Sequence, residues 1–149
     1  MDYISIAKYG VLTLMLAIAS YTDIKKRIIS NKLILVMLLA ALLFLLVGFS
    51  ITTVVVSFLG FAVAGVVFVA TYFLSKGSLG AGDVKLAMSM ALFVGLFDFI
   101  NIMLYALIYT VIVGLGAMVI KHKKLSTHFP FAPFVLAGCI TNIIYMMCI

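Results

Sequence analysis

Six apolar segments occupy most of this chain of 149 residues, and each is close to the roughly 20 residues that a transmembrane helix needs. Hydrophobic residues make up 67% of the sequence and charged residues only 9%, whereas a soluble domain is about half apolar and a quarter charged. This composition excludes a soluble globule and a disordered chain. We predict an all-α membrane protein, a single polytopic domain over residues 1–149. Its six transmembrane helices are expected at residues 4–22, 33–49, 51–74, 84–100, 102–120 and 129–149.

Basic residues are concentrated in alternate loops. The loops after the first, third and fifth segments hold nine of the ten, namely Lys25, Lys26, Arg27, Lys32, Lys76, Lys85, Lys121, Lys123 and Lys124, and only Lys8 lies on the other side. Because positive charge collects on the cytoplasmic side of membrane proteins, both termini are expected to be extracytoplasmic. The rule also explains the net charge of +6 without a nucleic-acid partner. The expected location is the cytoplasmic membrane, with many crossings of the lipid bilayer.

Acidic residues are so few that each can be considered by itself. The chain has four Asp and no Glu. Asp2 is near the N-terminus, and Asp98 is expected in a turn or cap near the outer end of the fourth segment. Asp23 ends the first segment and Asp83 begins the fourth, so both should lie at the cytoplasmic face.

Asp23 and Asp83 each have an ordinary structural explanation. Asp23 can pair with Arg27 one helical turn later, and Asp83 can cap the fourth helix. Ionisable residues at membrane depth are costly, however, and are functional by default. If the first and fourth helices pack side by side, the two carboxyls meet. We therefore interpret them as one site.

The residues around Asp83 suggest how a peptide could reach that site. Gly80 and Gly82 precede the acid, and Lys85 follows it. Glycine lets another backbone approach closely, so Gly80 and Gly82 are expected to bind an extended substrate. Lys85 can orient a substrate carbonyl or carboxylate, or it can contact lipid headgroups. The phosphate-binding pattern GxxxxGK[ST] is absent.

Two apposed carboxyls suit the chemistry of an aspartic protease. The ionised acid takes a proton from water, and the protonated acid donates to the carbonyl oxygen of the bond to be cut. Helix dipoles favour a carboxylate at the start of a helix, so Asp83 is the expected base and Asp23 the acid.

Other chemistries have weaker support in this sequence. His122 and His128 have no acidic partner nearby, and no HExxH metal-binding pattern is present. Cys139 and Cys148 do not form a CxxC pair. The sequence therefore predicts no metal and no cofactor.

Three segments resemble the type IV prepilin leader peptidase family, a group of GxGD intramembrane aspartic proteases. Residues 80–85 read Gly-Ala-Gly-Asp-Val-Lys, which is similar to the family's GxGDxK motif. Asp23 is followed by Ile29-Ser30-Asn31, and residues 129–134 resemble the family's proline-aromatic entry to the last helix. The resemblance implies that Asp23 and Asp83 are catalytic. It also implies a prepilin or pseudopilin substrate, cut on the cytoplasmic side between a basic leader and an apolar helix.

The sequence departs from the family pattern at two points. Ser30 stands where the family usually has Pro, and Ser remains a good first residue for the second helix. The chain resembles the short form of the family, without the N-terminal cysteine-rich region, so N-methyltransferase activity is not expected. Two alternatives stay open, a small ion-coupled membrane carrier and an inactive pilus-assembly scaffold. The sequence does not indicate an oligomeric state.

Overall fold

The computed structural model describes residues 3–76, 79–121 and 130–148. Within these ranges the chain forms six α-helices, which confirms the all-helical prediction. They are α1 (Tyr3–Lys26), α2 (Asn31–Val47), α3 (Ile51–Leu74), α4 (Ala81–Val94), α5 (Leu96–Lys121) and α6 (Ala132–Cys148). Three are long and apolar enough to cross a membrane: α1, α3 and residues Leu96–Gly116 of α5. Several residues considered above lie outside the described ranges: Asp2, His122, Lys123, Lys124, His128 and Phe129.

Helix α4 is the central element of the bundle. It packs against α3, α2 and α5, and its side chains from Leu86 to Val94 are buried with the sole exception of the half-buried Met88. A helix that is apolar on all sides is stable only when it is enclosed, as here. The side-by-side packing of the first and fourth helices that the sequence allows is not among the main helix contacts of the bundle. α1 packs instead along α6 and α2, because α2 and α3 cover the sides of α4.

One end of the bundle carries most of the described positive charge. α1 and α3 end there and α2 and α4 begin there, because the connections between them are short. We call this the basic end. Its basic residues are Lys25, Lys26, Arg27, Lys32, Lys76 and Lys85. The predicted cytoplasmic face requires such a group of basic residues at one end. The orientation of the bundle in a membrane remains a prediction.

The prediction of one helix over residues 84–100 is wrong at its C-terminal part. α4 ends at Val94, and Gly95 turns the chain with φ at 91°, a left-handed conformation that glycine adopts without steric cost. Gly60 of α3 leaves room for this turn, since a Cβ on Gly60 would lie 2.9 Å from the Leu96 amide nitrogen. Asp98 therefore belongs to the first turn of α5, where its carboxylate accepts a hydrogen bond of 2.6 Å from the Tyr9 hydroxyl.

A second close approach joins α5 and α6. A Cβ on Gly138 would lie 2.5 Å from the carbonyl oxygen of Ile102 and 3.0 Å from the amide nitrogen of Ala106. The two backbones therefore touch at this crossing, as small residues permit at helix interfaces in membranes. By contrast, a Cβ on Gly114 of α5 would have no described atom within 4 Å apart from its chain neighbours and its own helix backbone.

Candidate active site

Asp23 lies in the last turn of α1 and is only 7% exposed. Its Oδ2 accepts a hydrogen bond of 3.0 Å from the backbone amide of Ala132, the first residue of α6. A helix start carries amides without intrahelical partners and a partial positive charge, and a carboxylate satisfies both. Asp23 thus caps a helix that begins 109 residues later in the chain.

Asp83 is the third residue of α4, and it follows Gly80, which caps that helix. The carbonyl of Gly80 accepts hydrogen bonds from the amides of Asp83 at 3.0 Å and Val84 at 3.3 Å. The carboxyl of Asp83 is half-buried and turns back over this first turn. As a result, a Cβ on Gly80 would lie only 3.1 Å from its Oδ2. A side chain at position 80 would therefore crowd the acid.

The two carboxyls interact through their charges. Asp83 lies outside the three long apolar helices, and burial raises the pKa of its carboxyl to about 6. The negative charge of Asp23 also raises this pKa, whereas a hydrogen bond from the Gly80 backbone lowers it. The structure thus brings the two predicted catalytic residues within electrostatic reach, although their helices do not pack along one another.

The helix dipoles predicted that Asp83 is the base, but the contacts of the two acids do not favour that assignment. Asp23 lies at the end of α1, but its carboxylate faces the start of α6, where a negative charge is favourable. Asp83 lies at the start of α4, but burial and Asp23 outweigh that advantage and raise its pKa. These contacts therefore favour a proton on Asp83, the reverse of the expectation that Asp83 is the base.

The loop that connects α1 to α2 packs against Gly82. A Cβ on Gly82 would lie 3.2 Å from the Cβ of Ile29, whose side chain is buried. Residues 27–30, which connect α1 to α2, therefore lie against the start of α4. Gly82 therefore does not offer the open surface that was expected to bind a substrate. Gly80, by contrast, is exposed and accessible.

Lys85 links the start of α4 to the start of α2. Its Nζ donates a hydrogen bond of 3.1 Å to Oδ1 of Asn31, and both side chains are exposed. Asn31 belongs to the segment that follows Asp23 in the resemblance described above. This hydrogen bond can position the segment after Ile29 beside the start of α4, whereas the sequence predicted contact of Lys85 with substrate or lipid headgroups.

Sequence reasoning missed the aromatic residues beside Asp23. The ring of Phe131, next to Ala132, packs on Phe68 of α3 with 5.9 Å between centroids, and Phe68 also packs on Phe99 of α5 at 6.3 Å. The proline-aromatic segment was the signal, because Pro133 in the first turn marks the start of α6. Among residues 3–76, 79–121 and 130–148, no three His, Cys, Asp or Glu side chains are grouped to hold a metal ion.

The comparisons with known proteins give one match. A model of the type IV leader peptidase family matches residues 10–119, a range that contains both Asp23 and Asp83. No curated protein and no solved structure matches the chain. The family match extends over well more than half of the sequence and includes two of the three segments that carry the resemblance, residues 23–31 and 80–85, whereas residues 129–134 lie beyond it. The chain belongs to the type IV leader peptidase family.

Proposed function

We propose that this protein is an intramembrane aspartic endopeptidase that removes the basic leader from type IV prepilin-like precursors. The observation that carries the proposal is the electrostatic interaction between Asp23 and Asp83, which raises the pKa of Asp83. Two carboxyls that share a site ionise at different pH values, and that difference supplies one base and one acid together. Membership of the leader peptidase family supports a proteolytic use of this pair.

The chemistry follows from the environments of the two acids. Ionised Asp23 takes a proton from a water molecule, and the water oxygen attacks the carbonyl carbon of the peptide bond. Protonated Asp83 donates its proton to the carbonyl oxygen, which gives a tetrahedral intermediate. The intermediate collapses when Asp23 gives its proton to the leaving nitrogen and Asp83 takes a proton back from a hydroxyl of the intermediate, and the C–N bond breaks. One water is consumed, and the pair ends with a single proton, as it began.

The position of the acid pair suits a substrate whose chain changes from basic to apolar near the bond that is cut. Asp23 and Asp83 lie at the basic end, where α1 ends and α4 begins. A precursor with an apolar helix and a basic leader would present the junction between them at this depth. The leader's positive charge meets a negative site at the acid pair, and anionic lipid offsets the repulsion from nearby lysines.

The carrier and scaffold alternatives make different demands on the two acids. A carrier usually binds its ion near the membrane midplane on broken helices, whereas these acids lie at one end of the bundle. A scaffold needs neither carboxyl, so it would tolerate neutral replacements of both. The aspartate pair at the basic end therefore favours the peptidase.

Co-expression with a candidate prepilin from the same genome tests the proposal. Wild type, Asp23→Asn and Asp83→Asn are compared at matched membrane levels, and the N-terminus of the mature pilin is sequenced. We expect a single cut with wild type and none with either variant. Cleavage that survives both replacements would contradict the two-aspartate mechanism, and no cleavage of several prepilins by inserted wild type would favour a carrier or scaffold.

A further inference from the structure

We propose that a lateral groove between α3 and α5 binds the apolar helix of the substrate while the acid pair cuts the bond before it. This inference rests on the proposed function and adds the surface that recognises the substrate. The groove has a volume of about 490 Å³. We call it the α3–α5 groove, and its principal lining residues are Val63, Val67, Phe68, Phe99, Leu107 and Phe131.

The lining of the α3–α5 groove is apolar. Of the described side chains that line it, only Thr110 carries a polar group, and its hydroxyl donates a hydrogen bond of 2.8 Å to the Ala106 carbonyl within α5. Its described lining therefore offers no free hydrogen-bonding side chain. It suits an aliphatic helix and does not suit a basic leader.

The groove is connected to the candidate active site through Phe131. Phe131 lines the groove, and the next residue, Ala132, donates its amide hydrogen bond to Asp23. The ring of Phe68 contacts the rings of both Phe131 and Phe99, so an aromatic floor extends into the groove from the residue next to Ala132. A helix lying on this floor would place its first residues beside Asp23.

The groove is open towards the sides of the bundle and has a useful length. Val67 and Leu107 are 53% and 63% exposed, so a helix already in the bilayer can enter laterally. The lining residues of α5 run from Phe99 to Val111, about 18 Å along the helix axis. That length accommodates about three turns of a substrate helix, roughly half of the hydrocarbon core.

A larger groove between α1 and α6, of about 920 Å³, fits this role less well. Ala17 is its lining residue nearest in sequence to Asp23, about 9 Å away along the axis of α1. Its lining also includes Tyr9 and Thr13, so it is more polar than the α3–α5 groove. Continuity with Asp23, and not size, distinguishes the two grooves.

Disulfide crosslinking in lipid vesicles tests docking without cleavage. The probe is a synthetic peptide with a lysine-rich leader, one glycine and an apolar helix that carries a single cysteine in its second turn. The protein carries Asp83→Asn, so the peptide stays intact, and Cys148→Ser, because Cys148 is the exposed native thiol whereas Cys139 is buried. Val67→Cys and Leu107→Cys are compared with Leu39→Cys, a control on the exposed face of α2. We expect about tenfold more crosslinked product at the two groove positions. Equal yields of crosslinked product at all three positions would mean that the peptide meets the protein surface without preference from the lipid. That result would overturn the inference.

Cleavage of the same peptide gives the second measurement. Val67→Trp fills the groove, so we expect KM to rise about tenfold with little change in kcat, whereas Leu39→Trp leaves both unchanged. An unchanged KM in Val67→Trp would overturn the groove but keep the peptidase. Groove-specific crosslinking without any cleavage by wild type would keep helix binding and overturn the peptidase, so the two failures are distinguishable.

Discussion

The carboxylate of Asp23 caps α6 through a hydrogen bond of 3.0 Å from the amide of Ala132. The residue expected to activate water is therefore also a structural link between the first and last helices. Asp83 differs, because its carboxyl turns back over the first turn of its own helix and is raised in pKa by burial and by Asp23. The two acids should consequently affect stability in different ways.

Replacement of Asp23 should destabilise the fold. We expect Asp23→Ala to lower the free energy of unfolding by about 2 kcal/mol, because the buried Ala132 amide loses its acceptor. Asp23→Asn should cost about half as much, since the amide oxygen can still accept without the charge. Thermal unfolding in detergent measures both. Equal stability of wild type and Asp23→Ala would contradict the capping role.

Replacement of Asp83 should change how stability depends on pH. The folded pKa of about 6 exceeds the ordinary value of 3.8, so the folded state binds this proton more tightly than the unfolded chain. Stability from this group is therefore present below about pH 4 and is lost as pH rises to about 6. Asp83→Asn should remove that loss and be at least as stable as wild type at pH 7. A variant less stable than wild type at pH 7 would contradict this account.

Cleavage should also depend on the proton held by Asp83. The mechanism needs one proton on the pair, and that proton is lost as pH rises through about 6. We expect kcat/KM for the leader peptide to fall at higher pH and to approach a tenfold decrease per unit. Unfolding curves in the same buffers serve as the control for stability. A constant kcat/KM between pH 5 and 9 would exclude Asp83 as the acid.

Gly82→Ala tests whether the loop of residues 27–30 must lie against α4. The added methyl group would lie 3.2 Å from the Cβ of Ile29, so the loop or the first turn of α4 must move. We expect cleavage to fall about tenfold, because small displacements of a catalytic group are costly. The double variant Gly82→Ala/Ile29→Gly should recover part of the loss, since it removes the Cβ that the new methyl group meets. Additive losses in the double variant would argue against this contact.

Gly138→Ala should strongly destabilise the crossing of α5 and α6. Its Cβ would lie 2.5 Å from the Ile102 carbonyl oxygen, and neither backbone can move without separating the helices. We expect a loss of at least about 2 kcal/mol, typical of overpacking. Gly114→Ala, which has open space, is the matched control and should be neutral or slightly stabilising. Similar melting temperatures for the two variants would contradict the close backbone contact.

Much of the helical layout could be predicted from the sequence. Long apolar segments and basic loops indicate the helices and the end at which they meet, because both are local patterns. The boundary between α4 and α5 was missed, since Asp98 and Asn101 are the polar residues there and Gly95 lies among apolar neighbours. The turn forms at Gly95 because Gly60, on another helix, leaves room for it.

The candidate site was predictable in its acids but not in their surroundings. Asp23 and Asp83 were recognisable because acids are so scarce and both flank apolar segments. The hydrogen bond from Ala132 to Asp23 and that from Lys85 to Asn31 join residues far apart in sequence. No local pattern specifies such partners, so the capping role of Asp23 and the positioning role of Lys85 required the folded structure.

The turn at Gly95 has a consequence for how the chain enters a membrane. Gly60, which this turn contacts, is nine residues from the start of α3, or about 13 Å along its axis, and α4 is only about 21 Å long. Where α3 crosses the bilayer, α4 and α5 can insert from the basic end as one hairpin whose apex stays below the opposite surface. No loop between them has to be carried across the lipid, and the carboxylate of Asp98 near the apex is satisfied by the Tyr9 hydroxyl. Because the apex of this hairpin packs against Gly60 of α3, α3 has to be in place before the hairpin can reach its folded position.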